Sequence, residues 1–518
     1  MVDASAPGGA KPLFSNGYKS VVLSLLLAAY TFNFIDRTII ANLAKPMAEE
    51  LKLTSTQVGL LGGLYFALLY TILGIPIARL AERFSRVKII TASLIIWSGF
   101  TALCGTAANF TILAAYRFGV GIGEAGCSPS SHSLISDYYE AKRRATALSI
   151  YSFGIPLGTM FGAVVGSWLA QEYSWRVAFV VVGLPGILLA LIIWFVMREP
   201  PRGHSEVAEH PVIEEDVSAP ITEPKRNEFA ELWAVTKTLF GKWPVLHMVL
   251  GVTIASFGSY GSGQFVPRYF LAAFGKNFGP SDWHWADVFA NPMGQFGLGL
   301  ATVGLITGLV GGFSSGIGTL VGGSFSDRLG KVNPIWYPLV PAFGLLIATP
   351  IYIAAYSQTH WTMAALILLI PGIFHYTYLG PTFGVVQNSV EPRRRATATA
   401  ILFFFLNLIA LGGGPPFTGW LIDVLSQWNF NHGGGQGVIA SLFGAFGGEH
   451  GAASYAVACP GGAAAKTATA QAAELCRATL ANSSRQGIIL SILFYAWASV
   501  HYFLAAIGMK KHMESRAA

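Results

Sequence analysis

The chain has 518 residues, of which 53% are hydrophobic and 11% are charged. Because a soluble chain of this length carries about a quarter charged residues, the composition excludes an ordinary soluble domain and indicates a membrane protein. The net charge of +7 does not indicate nucleic-acid binding, since the basic residues lie in short loops, and four cysteines are too few for a disulfide scaffold or a paired CxxC metal site.

Long apolar runs recur along the chain, and helices are the simplest way for such runs to satisfy their backbone polar groups in a bilayer. The polar N-terminal tail, 1–19, lacks the apolar core and cleavage site of a signal peptide, so we expect the first run to be retained. The predicted spans are 20–44, 56–78, 88–108, 110–138, 145–171, 174–197, 244–272, 300–324, 333–356, 361–390, 396–425 and 486–509. The sequence therefore predicts an all-α polytopic fold of about twelve transmembrane helices.

A polar stretch, 198–242, separates these spans into two sets of six. It contains several acidic residues and prolines and is predicted to be a flexible cytoplasmic linker. The two lobes are then 20–197 and 243–509. The second lobe includes a long extracytoplasmic loop, 427–484, and is followed by a short cytoplasmic tail, 510–518.

The distribution of basic residues predicts the orientation. With the N-terminus in the cytoplasm, 23 of the 33 Lys and Arg residues fall in tails and loops on the cytoplasmic side. Because short basic loops stay in the cytoplasm, we expect both termini inside and a location in the cell (inner) membrane.

Two loop motifs recur in the second half of the chain. Residues 140–147 (Glu-Ala-Lys-Arg-Arg-Ala-Thr-Ala) follow the fourth predicted span, and residues 391–398 (Glu-Pro-Arg-Arg-Arg-Ala-Thr-Ala) follow the tenth. Residues 81–86 and 326–331 match in the same order. Because the repeated loops fall on the same side of the membrane, we predict two parallel six-helix repeats. Transporters built in this way bind substrate between the repeats near the midplane.

The same loops resemble the major facilitator superfamily. Residues 323–331 (Gly-Ser-Phe-Ser-Asp-Arg-Leu-Gly-Lys) resemble its signature between spans eight and nine, and residues 78–86 resemble the usually stronger copy between spans two and three. Residues 78–86 depart from the usual signature, because Ala78 and Ser85 replace glycines and Glu82 replaces the usual aspartate. The resemblance covers nearly the whole chain and implies the major facilitator fold.

Within that superfamily, three segments resemble the Spinster family: Phe-Ile-Asp-Arg at 34–37, Arg-Phe-Gly-Val-Gly-Ile-Gly-Glu-Ala at 117–125 and Arg-Glu-Pro-Pro-Arg-Gly at 198–203. The resemblance implies a secondary transporter for a lysolipid- or sphingolipid-like substrate, driven in several members by protons and needing no other cofactor. We expect a monomer in the lipid bilayer with no nucleic-acid partner. An organic-anion or sugar-acid symporter of the same superfamily is the alternative. The loop 427–484 is not part of the family pattern.

Charged residues inside the spans are the first candidates for function, because a charge in hydrocarbon costs several kcal/mol. Asp36 and Arg117 are roughly 12 Å and 10 Å deep at ~1.5 Å per residue, so their similar depth allows an ion pair. Protonation of Asp36 would free Arg117 for an anionic headgroup, and Glu124, two turns below Arg117, is a second candidate proton site. A static ion pair that fixes helix register is the alternative. Arg37 points roughly 100° away from Asp36 and is a candidate for a lobe contact or for substrate binding.

The second half has Pro267 where the first has Asp36, but it keeps a cation, Arg268. We therefore expect proton chemistry in the first lobe. His375 and Tyr376 in the tenth span are unusually polar for hydrocarbon and are candidates for contact with a substrate headgroup. A hydrogen-bonded core position is the alternative for His375.

Acidic and basic residues at the repeated loops predict a cytoplasmic gate. Glu82 is expected near the positive end of span eleven, close to Ala396. Arg83 is expected to pair with Asp137 at the end of span four. In the second half, Asp327, followed by Arg328, is expected near the start of span five at Ala145. Charges that only set topology are the alternative.

Two cysteines of the extracytoplasmic loop, Cys459 and Cys476, are predicted to form a disulfide because that compartment is oxidising. Cys104 and Cys127 fall within spans and are predicted to be free.

An enzyme is the main rival class, but the chain has no HExxH or phosphate-binding GxxxxGK[ST] motif. Its one GxSxG, at 312–316, lies inside an apolar span, where we interpret it as small-residue packing. The sequence therefore favours a transporter without a metal site.

Overall fold

The computed structural model describes residues 13–139, 141–202, 228–275, 298–390, 395–447 and 453–517. Within these ranges the chain folds into helices and contains no strand. The prediction of an all-α membrane protein is confirmed. "Outer" denotes below the side opposite the Lys- and Arg-rich loops, and "inner" the side of those loops.

The first lobe contains six spans in chain order. They are Asn16–Asn42 (span one), Ser55–Gly62 with Leu64–Arg83 (span two), Arg86–Cys104 (span three), Phe110–Glu124 with Cys127–Tyr138 (span four), Ala141–Ser152 with Gly154–Glu172 (span five) and Trp175–Val196 (span six). A short outer helix, Ala44–Leu51, joins spans one and two. The linker helix Glu228–Phe240 precedes the second lobe.

The second lobe repeats the arrangement with more interruptions. Its spans are Trp243–Phe274 (span seven), Leu300–Gly308 with Leu309–Ser314 and Ser315–Gly330 (span eight), Trp336–Tyr356 (span nine), Trp361–His375 with Tyr376–Tyr378 and Leu379–Asn388 (span ten), Arg395–Phe404 with Phe405–Leu411 and Gly412–Asn431 (span eleven) and Ala470–Ala517 (span twelve). The outer connection between spans eleven and twelve carries the helices Val438–Phe446 and Tyr455–Ala458 and the turn Pro460–Gly462.

Small polar residues fix where several spans begin. The side chains of Ser15, Thr54, Ser85, Asn109 and Ser174 each accept a hydrogen bond from a backbone N–H in the first turn of the following helix. These caps satisfy donors that a helix leaves without an internal partner. At these five positions, a polar residue before the apolar run therefore fixes where the helix begins.

Spans of the second lobe change helix type midway. Leu309–Ser314 and Phe405–Leu411 are π-helical and Tyr376–Tyr378 is a 3₁₀ turn. Such irregular turns are tolerated at membrane depth where protein covers the backbone or the backbone lines a cavity, and π turns often mark functional sites. The interruptions lie in the middle of spans eight, eleven and ten.

In the described part of the chain, eleven helices are long and apolar enough to cross a membrane. The predicted fourth span is absent from this set because it is divided into helices of 15 and 12 residues at 125–126. Together the two helices still cover the predicted range, 110–138. The prediction of about twelve spans therefore agrees with the fold once this break is recognised.

Glycines bring the two lobes into backbone contact at their outer halves. A Cβ atom added at Gly59 of span two would lie 2.2 Å from the Pro415 carbonyl oxygen of span eleven. One added at Gly419 would lie 2.2 Å from the Ser55 carbonyl oxygen. Gly304 of span eight meets span five in the same way. Close approach of this kind drives helix association in membranes, where burial of apolar surface contributes little.

The outer connection contains less loop than predicted. Span eleven continues to Asn431, and span twelve begins at Ala470 because the alanine-rich sequence there favours a helix and contains no breaker. The predicted disulfide is confirmed: Cys459 and Cys476 are bonded, with their Cα atoms 5.6 Å apart. Cys104 and Cys127 are free and buried, as predicted.

Candidate functional site

Close helix packing places four charged residues together inside the first lobe. A Cβ atom at Gly121 of span four would lie 2.5 Å from the Phe66 carbonyl oxygen, and one at Gly123 would lie 2.5 Å from the Trp97 backbone nitrogen. Only glycine allows span four to pack this closely against spans two and three. The alternating glycines of this segment therefore bring Arg117 and Glu124 towards Asp36 and Arg37 of span one.

Arg37 and Glu124 form the ion pair of this cluster. Arg37 Nε donates to Glu124 Oε2 at 2.8 Å; the Glu124 side chain is fully buried and that of Arg37 is 16% exposed. The rings of Phe34, Phe66 and Tyr70 surround the guanidinium, with their centroids 5.1, 4.9 and 4.6 Å from its carbon. Such contacts favour the cation, so Arg37 is held by both charge and aromatic faces.

Arg117 does not make the predicted ion pair with the carboxylate of Asp36. Its Nε donates to the Leu61 carbonyl at 3.2 Å and its Nη1 donates to the main-chain carbonyl of Asp36 at 3.5 Å. Only 1% of Arg117 is exposed. Depth in the membrane, which motivated the prediction, says nothing about the direction of a side chain around its helix. Arg117 therefore ties spans one, two and four together through backbone acceptors.

Asp36 is buried without a cationic hydrogen-bond partner. It is 2% exposed, and its Oδ1 has no donor among the described residues. Trp97 and Thr101 of span three are its polar neighbours, and Asn33 lies beside Glu124. Of the two carboxyl groups in this cluster, Glu124 is in the ion pair with Arg37 and Asp36 is outside it.

The second lobe presents an aromatic polar cluster. His375 is buried, its Nδ1 lies 3.3 Å from the Tyr352 hydroxyl, and its ring centroid lies 4.2 Å from that of Tyr495. Tyr376 is only partly buried, and Tyr260 of span seven is within electrostatic range of both Tyr376 and Arg37. Tyr260 and Tyr376 therefore lie across from the first-lobe cluster, whereas His375 lies within its own lobe. The substrate role assigned to His375 and Tyr376 stays a prediction.

A carboxylate of span eleven closes the outer side. Asp423 Oδ1 accepts from the Ser55 N–H at 2.8 Å, and its Oδ2 accepts from the Thr56 N–H at 2.7 Å and from the Thr56 hydroxyl at 2.6 Å. Ser55 and Thr56 begin span two, so a carboxylate of one lobe binds the positive end of a helix in the other.

Arg268 extends this outer contact to the disulfide loop. Its Nη1 donates to the Ser55 hydroxyl at 3.0 Å and its Nη2 donates to the Gly461 carbonyl at 2.9 Å. Gly461 has a φ of 73° and packs against the backbone of Ala48 in the first lobe. Because glycine adopts this conformation without strain, the loop closed by the disulfide can lie directly on the junction of the two lobes.

The inner side of the first lobe is held by Arg86, which is 1% exposed. It binds Asp137 and donates through Nε to Glu199 Oε1 at 2.7 Å. Burial raises the pKa of Glu199, but hydrogen bonds from the Val87 N–H, Arg86 and the Ser85 hydroxyl outweigh it and hold the pKa below its ordinary value. The segment after span six is thereby attached to spans three and four.

The predicted cytoplasmic gate is only partly described. The side chains of Glu82, Ala145 and Ala396 lie outside the described residues. Asp137 binds Arg86, whereas Arg83, its predicted partner, is exposed. Asp327 and Arg328 are exposed as well, and Asp327 accepts from the Tyr337 hydroxyl at 3.4 Å within its own lobe. The inner gate therefore stays a prediction.

Sequence reasoning missed the outer contact. Asp423 is a charged residue inside a predicted span, and the cost of such a charge is the signal that singled out Asp36 and would have singled out Asp423. Arg268 was recognised as a cation, but its partners belong to distant segments.

Among the described residues, no three His, Cys, Asp or Glu side chains are grouped so as to hold a metal ion.

Comparison with known proteins gives a consistent set of relatives. The Major Facilitator Superfamily model matches residues 26–407. An MFS-type efflux pump of Mycolicibacterium smegmatis is 28% identical over 78% of this chain and 85% of that protein. Protein spinster homolog 1 of Rattus norvegicus is 26% identical over 80% of this chain and 75% of that protein. A probable L-galactonate transporter of Escherichia coli is 24% identical over 78% of this chain and 83% of that protein.

A solved structure is similar over nearly the whole length. It is the crystal structure of a bacterial homolog to the human lysosomal transporter Spinster, in an inward-facing and unoccupied conformation. It is 32% identical in sequence, the match covers 96% of this chain and 99% of that chain, and the TM-score is 0.76.

Proposed function

The chain belongs to the major facilitator superfamily and is a transporter of its Spinster type, and from this premise we propose that it moves an amphipathic lipid-like substrate by proton-coupled alternating access. The substrate class is a lysophospholipid- or sphingolipid-type molecule with an anionic or zwitterionic headgroup. The observation that carries this proposal is the position of Arg37, a partly exposed cation that pairs with Glu124 and lies within electrostatic range of Tyr260 in the second lobe.

The lobe contacts support alternating access. Several hydrogen bonds between the lobes lie at the outer ends of the spans. They join Asp423 to Ser55 and Thr56, Arg268 to Ser55, Thr307 to Asn42, and Gln171 to the Ala301 N–H. A molecule joined at its outer end is in the conformation that binds or releases substrate on the inner side. Breaking these bonds is the step that turns the site outward.

Arg37 is the better candidate for a substrate headgroup than Arg117. Arg37 keeps donors beyond the one that binds Glu124, and 16% of its side chain is exposed. Arg117 is 1% exposed and donates to two main-chain carbonyls. Arginine presents a planar set of donors to a phosphate or carboxylate, which suits an anionic or zwitterionic headgroup. In this scheme Arg37 binds substrate and Arg117 positions the helices around it.

Proton coupling follows from competition for Arg37. With Glu124 ionised, Arg37 is neutralised by the ion pair. When Glu124 accepts a proton, the guanidinium is free to bind an anionic headgroup. Asp36 is the second proton site, because its carboxyl is buried and its Oδ1 accepts no hydrogen bond from any described residue. Binding of substrate and of protons would then be linked through one arginine, with protons as the coupling ion.

The test is transport by the purified protein in liposomes. We expect counterflow of an anionic or zwitterionic lysophospholipid, and accumulation when a pH gradient is imposed. The variants Glu124→Gln and Asp36→Asn should keep counterflow and lose accumulation, whereas Glu172→Gln, a change at an exposed outer carboxylate, should keep both. Accumulation at the wild-type rate by Asp36→Asn and by Glu124→Gln would exclude these acids as coupling sites.

A sugar-acid or other organic-anion symporter is the second candidate function. The Escherichia coli relative favours it, and a carboxylate substrate would pair with Arg37 as readily as a phosphate. Galactonate and hexuronates belong in the same liposome assay. Counterflow of a sugar acid without counterflow of any lysophospholipid would replace the lipid-like substrate in the proposal.

We place the protein in the cell (inner) membrane as a monomer, with both termini in the cytoplasm. The basic loops support the orientation, and the disulfide lies on the opposite side, where the compartment is oxidising. Peptide mapping of unreduced protein from intact cells should recover Cys459 joined to Cys476. Recovery of both as free thiols would contradict this topology.

A further inference from the structure

The outer helix Val438–Phe446 has an exposed face that is entirely apolar. Its nine residues, Val-Ile-Ala-Ser-Leu-Phe-Gly-Ala-Phe, include no charged side chain. Ile439, Phe443 and Phe446 are 73%, 74% and 54% exposed. Their spacing of four and three residues places them on one side of the helix. Bulky apolar side chains exposed together mark a surface that contacts a partner or a membrane.

The opposite face of this helix is bound to the protein by polar contacts. Ser441 is fully buried, donates to Asn429 Oδ1 at 2.7 Å and accepts from Gln486 Nε2 at 2.9 Å. Beside it, Gly444 packs directly against the Trp428 ring. The protein-facing side thus combines Ser441 with the small residues Gly444 and Ala445, whereas the large apolar side chains face outward, the reverse of a helix that lies on a protein surface in water.

The exposed face continues the lipid-facing surface of span eleven. The ring of Phe446 lies 5.9 Å from that of Trp420, which is itself 43% exposed. Trp420 is one turn below Asp423, the residue that binds the outer end of span two. Tryptophan and other aromatic residues concentrate at this level, where hydrocarbon meets the headgroups. The helix therefore packs beside the outer half of span eleven.

We propose that the helix Val438–Phe446 is an interfacial anchor, with acyl chains of the outer leaflet covering Ile439, Phe443 and Phe446. The absence of charge, the polar inner face and the continuity with Trp420 favour lipid as the occupant. Helices of this kind bury their apolar face about 5–10 Å into the boundary between headgroups and acyl chains. Through Ser441 and Asn429, the anchor holds span eleven, the helix that carries Asp423, at a fixed depth.

The test measures the surroundings of single spin labels in the full-length protein in liposomes of phosphatidylethanolamine and phosphatidylglycerol. Labels are placed by Phe443→Cys and by Ile439→Cys, and the matched control is Thr467→Cys, an exposed position in the same outer connection. The native Cys104 and Cys127 are buried and the other two cysteines are disulfide-bonded. Labelled wild-type protein measures any remaining background.

We expect labels at Phe443 and Ile439 to collide more with oxygen, which concentrates in lipid, than with a water-soluble nickel complex. The label at Thr467 should show the opposite preference. A preference for nickel at both anchor positions would place the helix in water and overturn the proposal. Protection from both reagents, or a short distance between labels of two copies, would also overturn it by showing a protein partner on this face.

Discussion

The Arg37–Glu124 ion pair gives each residue a function that depends on the other. Glu124 is fully buried, so its charge requires the guanidinium, and Arg37 is only 16% exposed, so its charge requires the carboxylate or the surrounding rings. A transporter that releases this pair in every cycle must replace one of the two charges, either with a proton on Glu124 or with an anion on Arg37.

We predict that Glu124→Gln lowers stability, because it leaves a largely buried arginine without its counterion. Breaking one side of a buried pair costs about 3–5 kcal/mol, and removing both charges costs less. The double variant Arg37→Gln with Glu124→Gln should therefore recover part of the lost stability. Thermal unfolding of the four proteins in detergent gives the coupling energy. Additive losses in the double variant would show that the pair is not coupled.

At the inner side, we predict that the contacts of Glu199 weaken in acid. The pKa of Glu199 is held below its ordinary value, so its stabilising contribution is complete above about pH 4.3, the value for an unfolded chain, and is lost as the pH falls through the folded value. Glu199→Gln should thus be less stable than the wild type at neutral pH, with the difference shrinking towards zero in acid. A difference that does not change between neutral and acidic pH would contradict this.

The sequence predicted Asp36, Arg117 and Glu124 as a group, because each is a charged residue inside an apolar run. A charge in hydrocarbon is costly and therefore indicates a function. The sequence did not predict which ions pair. Asp36 and Arg37 are adjacent in sequence but point in different directions, and a shift of 100° around span one decides which of them meets Glu124. The contacts of Arg86 could not be predicted because its partners, Asp137 and Glu199, come from segments about 50 and 110 residues away.

At the scale of elements, spans two and eleven of opposite lobes are in backbone contact at Gly59 and Gly419. We predict that Gly59→Ala separates the lobes at the outer side, since its Cβ would lie 2.2 Å from the Pro415 carbonyl and neither atom belongs to a flexible side chain. Distances between spin labels at Tyr173 and Thr467, exposed on opposite lobes, should shift to longer values.

The matched control for this variant is Gly74→Ala, in the same span, where an added Cβ meets nothing within 4 Å. It should leave the distances unchanged and, because alanine favours a helix, should not destabilise the protein. An unchanged distance distribution in Gly59→Ala would show that the outer contact absorbs the methyl group without opening.

The order of the spans could be read from the sequence because hydrocarbon selects long apolar helices whatever their neighbours are. The positions at which the helices of the second lobe change type could not be predicted in this way. The π turns at Leu309–Ser314 and Phe405–Leu411 contain no residue that forbids an ordinary helix there, and both pack against helices of the other lobe as well as of their own. The break in span four at 125–126 is different, because Pro129 has no N–H to donate to the Ala125 carbonyl and this signal is visible in the sequence.

At the scale of the whole molecule, the equilibrium between inward- and outward-facing states depends on contacts that exist in only one of them. Asp423 makes three hydrogen bonds across the lobes, to two backbone N–H groups and one hydroxyl. In the proposed cycle, outward opening breaks all three and exposes the start of span two. Arg268 and the disulfide loop share this junction through Ser55 and Gly461, so the outer closure is one connected network.

We predict that Asp423→Ala shifts the population towards the outward-facing state. Losing the carboxylate at a helix start costs about 0.5–2 kcal/mol, and this cost applies only to the state in which the contact is made. One to two kcal/mol changes a two-state ratio by about 5- to 30-fold. Spin-label distances between Tyr173 and Thr467 should therefore gain a longer population, while Glu172→Ala, which removes an exposed outer carboxylate, should leave them unchanged. If Asp423→Ala keeps the wild-type distances while its stability falls, the carboxylate supports the fold in both states and does not bias the transport cycle.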